Sequence, residues 1–157
     1  MTAFFVIVII AAMLFALAFV SKRRFGILGL GLAAGTLLST YWTGTVSNFL
    51  AQQGITLVAP PLAAVVATGL LLAPPLLLLA SGPSYSKLVA RVIGGILFAI
   101  MGTIFLLPIL TSALVADAKT MEVLRLADQY GRSVVALLIA YAVFDVMLAH
   151  SRKPKHE

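Results

Sequence analysis

Apolar residues run along this chain in long unbroken blocks, and short polar or basic turns separate the blocks. A helix that crosses a bilayer needs about 20 mostly apolar residues. Five stretches qualify, at about residues 3–20, 25–42, 61–80, 88–110 and 133–149, the last being the shortest. None of them alternates polar with apolar, as the strands of a membrane barrel would. The pattern therefore predicts an all-α, polytopic helical membrane bundle of five transmembrane helices. It forms one transmembrane domain over residues 1–150, followed by a basic cytoplasmic tail at 151–157. The alternative is four spanning helices, with the fifth apolar segment lying in the interface.

The polar intervals set the expected topology. The first apolar run has no positive charge before it and "SKRRF" after it, the reverse of a secretory signal peptide,. It reads as a retained helix with its N-terminus outside. With Lys22, Arg23 and Arg24 in the cytoplasm, Lys87 and Arg91 fall on the same side, as do Arg152, Lys153 and Lys155 of the tail. Eight of the eleven basic residues then lie on one face, as cytoplasmic loops require,. Residues 43–60 outside carry no charge, and "TGTVSNFLAQQG" (43–54) reads as an extension of the second helix. The segment 115–131 places Val115, Ala118, Met121 and Leu124 on one helical face, which suits a helix lying on the outer surface or a solvated linker,. Tyr41, Trp42 and Tyr85 stand at span ends and read as interfacial belt residues,. No internal repeat is evident.

Composition agrees and narrows the chemistry. The 157 residues are 62% hydrophobic and only 10% charged, against about a quarter charged in a soluble domain. The formal net charge of +6 sits in the turns between spans, so it reads as a topology signal and not as a nucleic-acid surface. There is no cysteine, and the two histidines, His150 and His156, both lie near the C-terminus. Thiol chemistry is excluded, and no metal-binding set, phosphate-binding loop or dinucleotide motif is present. No enzymatic activity and no cofactor is expected.

Helices in lipid associate through small residues. Gly31 and Gly35 form a GxxxG in the second span, and Gly94, Gly95 and Gly102 line the fourth. These two spans are the expected tight contact. Two features interrupt the apolar runs. Pro74 and Pro75 stand inside "LLLAPPLLLLA" and release the carbonyls of Leu70 and Leu71 from helical bonding, which predicts a kinked third helix,. The break must face protein or water, or a hydroxyl such as Thr68 must help; a discontinuous helix binding a cation or substrate is the functional reading. Asp145 is the one acidic residue within a span. It is a candidate intramembrane proton site, with Tyr141 one turn away and His150 near the mouth, or a structural partner of His150, Arg152 or the Lys22–Arg24 cluster.

The order of these features resembles a known family. The first span is followed by a basic turn with a Phe-Gly step, "KRRFG" (22–26), then a glycine-rich second span and an uncharged outer stretch. A Ser/Gly turn then leads into "SGPSYSKLVARVIGGILFAIMG" (81–102), carried by Arg91, Gly94 and Gly102. Over about residues 1–110 this is similar to the colicin V production protein (CvpA-like) family of bacterial inner-membrane proteins. The resemblance implies a non-enzymatic scaffold or accessory subunit linked to toxin export or envelope homeostasis, working with membrane lipid and a protein partner or further copies of itself. It supplies no catalytic residues. The chain departs from the family in having Ile100 and Met101 where a second basic residue is usual, in its double proline, and in its fifth span.

Overall fold

The structure is a computed structural model, and it describes residues 2–57, 60–80, 84–113 and 118–151. Within them lie α1 (Thr2–Ser21), α2 (Phe25–Gln52), α3 (Leu62–Ala80), α4 (Leu88–Ala113) and α5 (Ala118–Ser151). All five helices are long and apolar enough to cross a membrane. The chain is a multi-pass helical bundle, and the tail at 152–157 lies outside the described residues.

Two helices are longer than their apolar cores. The 28 residues of α2 carry the segment after Trp42 as continuous helix, and the backbone turns only at Gly54, whose φ is +82°. The 34 residues of α5 join the expected surface segment to the fifth span in a single helix. This corrects the expectation of a helix lying flat on the outer surface. No proline stands between Pro108 and Pro154, and Gly131 alone is too weak a breaker to end a helix,. The fifth segment is long and apolar enough to span, against the four-span alternative.

The packing is interleaved. α2 lies chiefly against α3, α1 against α4, and α5 against α2. The α2–α4 contact expected from the glycines is minor. The reason is visible at the glycines themselves. Gly31 faces Pro75 and Leu78 of α3, and the Leu71 carbonyl oxygen sits where a Gly35 Cβ would be. On α4, Gly95 faces Phe15, Gly102 faces Leu14 of α1, and Gly94 faces the ring of Tyr85. The small faces of α2 and α4 thus receive different partners. Phe25, Leu28, Leu32, Leu71 and Met101 are fully buried.

Candidate functional site: a polar lock at one end of the bundle

Local backbone chemistry brings three chain segments together at one end. α1 stops at Ser21, and Lys22 takes a left-handed conformation with φ 57° that turns the chain toward α2. The Lys22 carbonyl accepts a 2.8 Å bond from the Tyr85 amide, and Arg23 pairs with Ser84 in an isolated antiparallel bridge. The α1–α2 turn is thereby tied to the segment that leads into α4.

The arginines then close the open helix ends. The last carbonyls of a helix have no partner within it. Arg23 donates from Nε to the Leu79 carbonyl and from Nη2 to the Ala80 carbonyl, both at 3.0 Å, and so caps α3. Arg91 of α4 donates from Nη2 to the Phe19 carbonyl at 2.8 Å, and its guanidinium lies 4.7 Å from the Phe19 ring centre. The arrangement is reciprocal: the α1–α2 turn caps α3, and the start of α4 caps α1. Lys22 and Lys87 are exposed at the same end.

Asp145 of α5 completes the cluster. It is only 5% exposed. Its Oδ1 accepts from Arg24 Nη2 at 2.8 Å. Its Oδ2 accepts from the Gly26 amide at 3.0 Å and from the Tyr85 hydroxyl at 3.2 Å. The Tyr85 hydroxyl in turn accepts from the Phe25 amide at 3.2 Å, and the Arg24 guanidinium lies 5.4 Å from the Tyr85 ring centre. Burial, and then the nearby carboxylate, push the Tyr85 phenol up from 10.0 to about 12, although its bond from the Phe25 amide acts the other way. The amides of Phe25 and Gly26 belong to the first turn of α2, where backbone N–H groups are free and the helix dipole favours an anion. A Cβ on Gly26 would come within 2.6 Å of the Ala142 carbonyl oxygen and 3.0 Å of Asp145 Oδ2, so glycine lets α5 approach closely enough for these bonds to form.

Each candidate residue has a definite place in this picture. Asp145 meets Arg24 of the basic turn; the His150 side chain and Arg152 lie outside the described residues. Tyr141 stacks on Phe25 with ring centres 5.9 Å apart and makes no bond to Asp145. Tyr85 is half-buried and hydrogen-bonded, which is more than a belt residue would do. Pro74 and Pro75 both lie inside a continuous α3. The Leu71 carbonyl released by Pro75 is covered by Gly35 of α2, in the close Cα–H···O manner common where helices touch,. Thr68 bonds to the Ala64 carbonyl at 2.8 Å and plays no part at the break. Among the described residues no three histidine or acidic side chains come together.

The reciprocal capping and the role of Tyr85 were not legible in the sequence. A tyrosine in a turn and an arginine at a helix start carry no mark of their partner. The signal available was the Phe25-Gly26 step beside a basic cluster, together with one acid far along the chain. Compared with known proteins, the chain matches no family model, no curated protein and no solved structure.

Proposed function

We propose that this chain is a non-enzymatic membrane scaffold or accessory subunit of the CvpA-like type, in the bacterial inner membrane. It serves toxin export or envelope homeostasis with a protein partner or further copies of itself. The N-terminus lies outside and the C-terminus in the cytoplasm, an orientation supported by the basic residues gathered at the Lys22–Arg24 end,.

The observation that carries this reading is the state of Asp145. Its two carboxylate oxygens take three bonds from two segments, the start of α2 and the α3–α4 connection, and the side chain of the paired cation is itself only 14% exposed. A carboxylate held in this way joins helices. A proton carrier would need to lose and regain its partners in each cycle. The covered Leu71 carbonyl supports the same reading, because a cation site at the Pro74–Pro75 break would need that oxygen open. These two contacts count against the alternative, a small channel or proton-coupled transporter that uses Asp145 and the helix break.

The test is the native mass of the protein extracted in a membrane mimic. A stoichiometric second protein, or a defined homo-oligomer without flux in liposomes, is the expected result. A lone chain that carries protons or a solute in liposomes, with the flux lost in Asp145→Asn, would overturn the reading.

A further inference from the structure

The end of the bundle remote from Asp145 holds a second arrangement that the scaffold reading does not use. A crevice of about 350 Å³ opens between α4 and α5. Ile104, Phe105 and Pro108 wall it on one side, and Leu124, Gly131 and Val135 on the other. Asp128 and Arg132 also line it, one helical turn apart. Both are exposed, and neither has an ion-pair or hydrogen-bond partner among the described residues.

Depth in the bilayer gives these charges their meaning. The bond from the Gly26 amide to Asp145 puts those two residues at one level. Trp42 lies sixteen residues beyond Gly26 along α2, about 24 Å of helix, and is 58% exposed,. Tyr130 lies fifteen residues before Asp145 along α5, about 22 Å, and is 55% exposed,. Two exposed amphipathic aromatics at matching height mark the far membrane–water boundary. Asp128 and Arg132 flank Tyr130 and so stand at that boundary. Side chains on a helix lean toward its N-terminus, which for α5 is the far side, so both heads point toward the headgroup layer. The crevice runs past them in both directions along α5, to Leu124 on the headgroup side and to Val135 on the side of the bilayer centre, where Ile104 and Phe105 of α4 complete an apolar wall.

We propose that the α4–α5 crevice is a binding site for a phospholipid of the far leaflet with a primary-amine headgroup. One acyl chain lies along the inner, apolar part of the crevice beside Val135, Ile104 and Phe105, Arg132 takes the phosphate and Asp128 takes the ammonium. The paired signs select this class. A headgroup that carries phosphate alone satisfies Arg132 but meets repulsion from Asp128. A quaternary ammonium satisfies the charge but offers Asp128 no N–H to accept.

Native mass of the full chain in mixed micelles tests this, with phosphatidylethanolamine or phosphatidylglycerol of identical acyl chains as the added lipid. One retained phosphatidylethanolamine per chain is expected, favoured about tenfold over phosphatidylglycerol, as one charge-assisted hydrogen bond would give. Asp128→Asn removes the preference while both lipids still bind, and Arg132→Gln weakens both. Glu122→Gln, exposed on the same helix and outside the crevice, leaves the preference intact. All three positions are exposed, so the variants fold as the parent does. Equal retention of the two lipids by the parent chain would overturn the proposal. So would a preference that survives Asp128→Asn, or one that Glu122→Gln abolishes equally.

Discussion

A lone carboxylate near hydrocarbon is costly, and Asp145 answers that cost with a guanidinium, a backbone amide and a phenol,. The acid was visible in the sequence because it is the one acidic residue in the five apolar runs, and the Lys22–Arg24 cluster was among its expected partners. Tyr85 was not visible in this role. Its place depends on how the α3–α4 connection meets the α1–α2 turn, which no local pattern encodes. Tyr85 also carries a pH signature. With the phenol raised to about 12, folded and unfolded chains are both protonated below pH 10, and its contribution is fully present there,. As pH rises from 10 through 12 the unfolded chain loses its proton first, so the contribution is lost. Denaturant unfolding from pH 8 to 11.5 should show the parent losing stability faster above pH 10 than Tyr85→Phe does. Parallel curves would remove Tyr85 from the lock.

At the scale of the element, α2 works as a wedge. Gly31 and Gly35 admit α3, while Gly26 and Gly29 admit α5. The GxxxG was legible as a packing face, but small residues do not name their partner, and the expected neighbour α4 turned out to be α3. The double proline explains the preference. Pro75 leaves Leu71 with an unbonded carbonyl, and a helix face without side chains is what allows that oxygen to be buried,. Gly35→Ala places a methyl on the Leu71 oxygen and should cost at least about 1–3 kcal/mol, the usual scale of overpacking. Gly69→Ala on α3 has open space around the added carbon and should be neutral or stabilising by up to about 1 kcal/mol,. Detergent unfolding of the two variants checks this, and equal effects would mean that the break is not sealed by α2. The length of α5 was misread for a simpler reason. Its polar N-terminal half looked like a separate surface helix, yet the sequence holds no residue that would end one helix and start another.

Across the whole molecule, the helical bundle was legible because hydrophobic length alone requires it. The arrangement within it was not, because it rests on contacts far apart in sequence. The α1–α2 and α3–α4 hairpins interleave, and each supplies an arginine that caps the first helix of the other. α5 joins this pair through its contact with α2, and Asp145 is the polar centre of that contact. On this account Arg24 and Asp145 hold the fifth helix to the four-helix unit and carry no cargo. A double-mutant cycle on unfolding free energy, with Arg24→Ala, Asp145→Ala and both together, measures that link directly. Each single change should cost about 3–5 kcal/mol by leaving a buried charge alone. The double variant should cost less than their sum by more than about 1 kcal/mol, the mark of a direct interaction. Strictly additive losses, or single variants as stable as the parent, would contradict the account.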